Sequence, residues 1–372
     1  MTNRKIRAAL TLTAIAAALL LIPAASPAAT VVNGDFETGS LSGWQVHNST
    51  QFGNWFAYTG NKPPLQKQAE EEEGEFEEVP LEPIAPRVTP LVTPAFPAFF
   101  VPPQGSWAAV DDERRQDTAI LYQDIALEPY WTHHLTMTFY YHSFAPIFVP
   151  NPDTLGFPGP QIIVIGEEPK PIQQQVRVDV MKPTAPLESL NPSDILTTLF
   201  ASRTGDPQTM APTQLSADLT PFAGQTVRLR IANAVYDDIF NTGVDAVSVA
   251  STPPSNLFTK GKLKLNRRKG TATLTVTVPG PGVLTLADAG RTKKATASKS
   301  RRKPKLLKPA TVKPTAAGTV KVPVKATGAG KRILRKRGKL RFKASLSFTP
   351  TGGFAATQSF KGTLKRGQKK HP

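Results

Sequence analysis

No cysteine occurs among the 372 residues. That excludes a disulfide scaffold, a thiolate zinc or iron–sulfur centre and a cysteine nucleophile. Acidic residues almost vanish from the last third, where Asp288 stands alone beyond residue 250 against 31 Lys and Arg. Long uncharged apolar runs are missing except for Ala8–Ile22, whose 15 residues fall short of the roughly 20 that a spanning helix needs. Helix signals are scarce, and 36 prolines and 26 glycines punctuate the chain too often for a helical protein. Short strands joined by turns remain, which predicts an all-β protein. No nucleophile elbow, HExxH motif or phosphate-binding loop is present, so a non-catalytic protein is expected.

The charge that is present is divided. Residues 1–250 carry 14 Lys and Arg against 27 Asp and Glu, a balance of −13, and the remainder carries +30. Two units with different partners are expected, one of them meeting polyanions. At the N-terminus, Arg4, Lys5 and Arg7 precede the apolar run, Pro23 ends it, and small residues follow to Ala29. These are the parts of a secretory signal peptide over 1–29, cleaved near Ala28 or Ala29. The alternative, a retained membrane anchor, is opposed by the short run. The expected location is secreted or extracellular, with cell-wall association.

The segment after the leader reads Val31-Val32-Asn33-Gly34-Asp35-Phe36-Glu37-Thr38-Gly39-Ser40-Leu41-Ser42-Gly43-Trp44. Its turns and its anchors Phe36, Leu41 and Trp44 resemble the opening of galactose-binding-like jelly-roll modules, among them carbohydrate-binding modules of secreted bacterial proteins. Gly105–Asp111, Leu121–Ile125, Asp218–Arg230 and Gly243–Val249 continue the resemblance in order. It implies a jelly-roll β-sandwich over 30–252, with proline-rich insertions at about 62–104 and 146–171. Periodicity agrees: Leu135, Met137, Phe139 and Tyr141 alternate with Thr136, Thr138 and Tyr140, and Val176, Val178 and Val180 with Arg177 and Asp179. Residues 192–200 are read as a short helix capped by Ser193. Both insertions are read as loops, the first, with its glutamate run, as largely disordered.

Residues 253–257 form a linker, followed by a basic unit over 258–366 and a basic tail over 367–372. Thr271–Val278 alternates threonine with apolar residues, Pro279–Gly282 turns the chain, and Val283–Leu286 returns it. About six strands in this length suit an immunoglobulin-like sandwich. The combination resembles basic C-terminal repeats of secreted proteins from high-GC Gram-positive bacteria, which implies a spacer or adhesive role.

Candidate sites follow from residue type. Exposed rings can stack on the apolar face of a sugar, and Trp55, Phe56, Tyr58, Tyr130 and Trp131 are the candidates for glycan binding; Trp44 and Trp107 belong to the framework and are expected in the core. Jelly rolls of this resemblance often hold a structural Ca2+ between the opening segment and the closing strand. The matching positions are Glu37 and Asp245, with Asp35 beside them, one acid short of the usual pair on that strand. His133, His134 and His142 cluster in sequence, but successive residues of a strand face opposite ways, so no metal site is expected there. Asp111-Asp112-Glu113 and Asp237-Asp238 are adjacent carboxylates read as solvated turns. Two dense basic runs, Arg301-Arg302-Lys303 with Lys305, and Lys331-Arg332 with Arg335-Lys336-Arg337, are expected to project as loops and meet anionic wall polymers or acidic lipid head groups. Nucleic acid is disfavoured, since no aromatic-interleaved pattern accompanies the cations. The sequence thus predicts a glycan-recognising jelly roll on a basic module. A purely structural surface protein is the alternative, and a secreted hydrolase a distant one.

Overall fold

The computed structural model describes residues 30–49, 53–60, 101–113, 116–156, 173–236, 239–289 and 304–367. The leader, most of the first insertion and Arg301–Lys303 lie outside them. The chain is all-β and builds two sandwiches.

The first uses ten strands: β1 (Gln45–Asn48), β2 (Trp55–Tyr58), β3 (Ala108–Glu113), β4 (Asp117–Ala126), β5 (Thr132–Ser143), β6 (Gln175–Met181), β7 (Ile195–Ala201), β8 (Thr209–Asp218), β9 (Thr226–Val235) and β10 (Phe240–Thr252). They form two five-stranded sheets ordered β1-β4-β9-β6-β7 and β2-β3-β10-β5-β8, with antiparallel pairing throughout. Repeated crossing from one sheet to the other is the wrap of a jelly roll. The alternating residues read from the sequence fill the space between: Leu135, Met137, Phe139 and Tyr141 from one sheet meet Val176, Val178, Val180, Leu229 and Ile231 from the other. Trp44 is buried among them and Trp107 packs half-buried against them.

Two local readings change. Residues 195–201 are strand β7, not helix, pairing with β6. A turn closed by the Asp194 N–H on the Asn191 carbonyl at 2.9 Å precedes it. The branched Ile195, Thr197 and Thr198 suit the extended edge position that β6 offers. The start of the second insertion is also no free loop. Phe148 enters the main core, and Leu155 joins Ile120, Leu190, Ala232 and Ala234 in a smaller core on the outer face of the first sheet. The Ile162–Ile165 run lies outside the described residues.

The second sandwich places β11 (Thr259–Asn266), β12 (Thr271–Val278) and β15 (Gly318–Val324) against β14 (Ala310–Val312), β13 (Gly282–Asp288), β16 (Lys339–Pro350) and β17 (Ala356–Lys365). The orders β11-β12-β15 and β14-β13-β16-β17 make a seven-stranded sandwich of immunoglobulin-like architecture, with the fourth strand, β14, moved from the edge of the first sheet to pair with β13 on the second. Pro279–Gly282 therefore carries the chain across to the other sheet, where β13 pairs with β16, instead of closing a hairpin with β12. Between β15 and β16 lies α1 (Gly328–Arg337). The helix overturns the expectation that Lys331–Arg337 projects as a loop. Thr327 caps it by accepting the Gly330 N–H at 3.2 Å, and Gly338 ends it in the left-handed region at φ 65°. Leu334 sinks into the core over Gly270, where a Cβ would come within 2.7 Å of its side chain.

The sandwiches meet through the linker. Trp131 donates its indole N–H to the Gly352 carbonyl at 2.8 Å and packs edge-on against Phe354 at 5.8 Å. Asn256 donates to the Phe354 carbonyl at 3.0 Å. Trp131→Ala is expected to destabilise this junction by about 3 kcal/mol and to speed limited proteolysis within 253–257; an unchanged cleavage rate would show that the junction does not depend on the indole.

Candidate functional site

The opening segment curls because Asn33 and Phe36 adopt positive φ, 50° and 54°, and the Trp44 indole donates to the Asn33 carbonyl at 3.1 Å. This curl delivers Glu37 to the strand-entry segment before β3, where one carboxylate oxygen accepts the N–H groups of Ser106 and Trp107 at 2.7 and 3.0 Å. Asp245 sits on β10 at a bulge beside Ala246, whose φ is 52°. It accepts the Gln104 and Ala246 N–H groups at 2.8 and 2.6 Å. Burial pushes the Asp245 carboxyl up to about 6, against the pull of those two N–H donors; the charges of Glu37 and Asp35 push the same way as burial. The fold thus brings Asp35, Glu37 and Asp245 into one neighbourhood, with oxygens of all three accepting backbone N–H groups. Among the described residues no set of three or more Asp, Glu or His side chains converges as metal ligands.

The aromatic candidates do not form an exposed platform. Trp55 is 2% exposed, Tyr58 6% and Trp131 8%. Trp55 lies opposite Asp111 in the β2–β3 register and faces the core. Tyr58 packs with Val110, Tyr140 and the half-buried Phe56 on the other face of that sheet, and Trp131 serves the junction. Tyr130 alone is open, at 65%, in a left-handed turn with φ 71° and against Gly352. Large rings were legible as rings; which face of a four-residue strand each would take was not.

His133 is buried, with its two ring nitrogens at 2.9 Å from the Ser251 hydroxyl and the Glu128 carbonyl, so both are already engaged. His134 is exposed on the opposite face. Burial lowers the pKa of His142, whose Nδ1 lies 2.6 Å from the Thr209 hydroxyl. Asp111 and Glu113, read as solvated, are instead fully buried between the sheets. Asp237 and Asp238 lie outside the described residues.

In the second sandwich the cations converge. A cavity of about 360 Å3 is lined by Arg268, Lys269, Lys308, Lys325, Lys331, Arg335 and Arg366, together with Gly270, Thr271, Ala326 and Leu334, and no acid is among its described lining residues. The β11–β12 turn supplies the first two cations, the approach to β14 the third, and the end of β15 the fourth. The helix α1 and the exit from β17 supply the rest. Arg335, Lys336 and Arg337 occupy the last turn of α1, where the helix dipole favours positive charge. Lys331, Arg332, Arg335, Lys336 and Arg337 are all exposed. The unit's single acid is spent internally: Asp288 accepts the N–H groups of Leu306 and Leu307, and so fixes the segment that carries Lys305 and Lys308. Asp288→Ala is expected to cost about 1–3 kcal/mol in urea unfolding; no loss would mean that these N–H groups find water instead. Runs of cations were visible in sequence, but Arg268, Lys325 and Arg366 are distant in the chain and only the fold assembles them.

No family model matches this sequence, and no curated protein matches it significantly. Among solved structures, the glycoside hydrolase domain of Endo-D from Streptococcus pneumoniae is similar at 11% identity and a TM-score of 0.23, covering 87% of this chain and 37% of that one. The adhesin domain of Epf from Streptococcus pyogenes is similar at 10% identity and a TM-score of 0.27, covering 71% of this chain and 79% of that one. A Bacteroides uniformis β-glucuronidase follows at 9% identity and a TM-score of 0.15, covering 68% and 27%. The chain thus spans little more than a third of the first of these proteins. Likeness of this size leaves the functional reading to the chain's own residues.

Proposed function

We propose that the chain is a non-catalytic exported surface protein. Its immunoglobulin-like sandwich, read as a separate unit over 258–366, holds it to anionic polymers of the cell envelope, and the jelly roll over 30–252 is the part it displays. The observation that carries this is the cavity ringed by seven cations on exposed segments. With a regional balance of +30, its field concentrates polyanions and speeds their capture. A polymer is favoured over a lipid surface by the helix itself. Leu334 is buried and Ile333 half-buried against the core, so α1 offers no apolar face to insert into a bilayer.

Glycan recognition by Trp55, Tyr58 and Trp131 is not supported, because burial denies those rings a sugar. That favours a structural role for the first sandwich. Calorimetric titration of the full chain with a soluble poly(glycerol phosphate) tests the polyanion reading. Binding that weakens linearly on a log–log salt plot is expected, together with silence on an array of neutral glycans. Tighter binding to acidic-lipid vesicles than to the soluble polymer would overturn it.

A further inference from the structure

We infer that the buried corner formed by Asp111 and Glu113 of β3, Thr242 of β10 and Asn233 of β9 is a binding site for a hard divalent cation, Ca2+ in an exported protein. The register builds it. Asp111 lies opposite Thr242 in the β3–β10 pair and opposite Trp55 in the β2–β3 pair, so the three side chains share the inner face. Glu113, two residues along, shares it too. From the facing sheet, Asn233 donates its amide N–H to Asp111 at 2.9 Å, which joins the two sheets at this end of the sandwich.

All four polar residues are fully buried. Yet Asp111 Oδ1, both Glu113 carboxylate oxygens, Asn233 Oδ1 and Thr242 Oγ1 have no hydrogen-bond partner among the described residues. The backbone of Gly53 lies directly against the Glu113 carboxyl, where a Cβ would come within 2.4 Å of it. Five oxygens without a donor, two of the groups being carboxylates, is an arrangement a sandwich core does not sustain for its own stability. The corner therefore carries protons or a cation. Oxygen-only donors from two acids, an amide and a hydroxyl suit Ca2+, which takes six to eight such ligands and accepts water for the remainder. This corner is distinct from the Asp35, Glu37 and Asp245 group, whose oxygens accept backbone N–H bonds.

Trp55 makes the site addressable, because a lanthanide held beside its indole is excited by energy transfer from it. The chelator-treated full chain, titrated with Tb3+, is expected to show saturable tryptophan-sensitised emission that Ca2+ competes away, and Ca2+ is expected to raise the unfolding midpoint. Asp111→Asn and Glu113→Gln, both shape-conserving, should weaken binding by about 100-fold or more, the upper end of what losing even an outer-shell partner costs. Thr242→Val keeps both charges and should weaken it less. Trp55→Phe should abolish the emission while leaving the Ca2+ midpoint shift. The double variant Glu37→Gln/Asp245→Asn should leave both. Emission lost in that double variant, or retained in Glu113→Gln, would overturn the assignment. So would the absence of emission and midpoint shift in the wild type, which would show that the pair holds protons alone.

Discussion

Replacing Asp179 by Ala is expected to cost the first sandwich about 3–5 kcal/mol, the range for breaking a buried ion pair from one side. Asp179 and Arg230 are both fully buried, joined at 2.6 Å. Arg177 adds a two-pronged contact at 2.9 and 3.1 Å, and Thr198 donates at 2.7 Å. Arg230 also donates to the Leu187 and Ser189 carbonyls, which ties the segment between β6 and β7 onto the sheet. Removing the carboxylate strands a guanidinium that has no water to turn to. The double replacement Asp179→Leu/Arg230→Met should recover most of the loss, since neither charge then remains buried alone.

The pH dependence has a definite sign. Burial would raise the Asp179 pKa, but the hydrogen bond from Arg177 and the charges of Arg230 and Arg177 outweigh it and hold the carboxyl below its ordinary value of 3.8. Its stabilisation is complete above that value and is lost as pH falls through the lower, folded-state value. Urea midpoints of wild type and Asp179→Ala should differ fully at neutral pH and converge on acidification. A gap that widens in acid would reverse this reading.

The second large effect concerns retention. Neutralising Arg268, Lys308, Lys331 and Arg335 together should weaken polyanion binding about 1,000-fold at low salt, taking roughly 1 kcal/mol for each cation near an anionic surface. All four are exposed, so the fold should stand. Neutralising Lys262, Lys321, Lys343 and Lys361, equally exposed on strand faces, removes the same charge away from the cavity and should cost much less. Equal losses in the two variants would show that net charge acts without a site.

Strand identity was legible wherever one face is buried, because period-two alternation in β5, β6, β9 and β12 reports burial directly. It failed where pairing decided. Residues 195–201 carry no strong alternation, and only the free edge of β6 makes them a strand. Lys331–Arg337 reads as a solvated run because the one buried anchor in it, Leu334, is a single residue among five cations. The buried acids escaped for a different reason. Asp111 and Glu113 alternate with Val110 and Asp112 as a strand should, but carboxylates on an inner face contradict ordinary burial rules, and sequence reasoning resolves such a contradiction toward the surface. A local rule broken at a buried position is what a functional site looks like from the sequence.

Electrostatic anchoring by the basic sandwich makes retention on envelope polymers depend on their charge and on salt. Its most direct test is co-sedimentation of the full chain with purified Gram-positive cell walls, before and after chemical removal of their anionic polymers, across a salt series. Retention is expected on intact walls at low salt, with release once the Debye length falls below about 8 Å near physiological ionic strength, and little retention on stripped walls. Retention that persists on stripped walls, or that ignores salt, would contradict electrostatic anchoring.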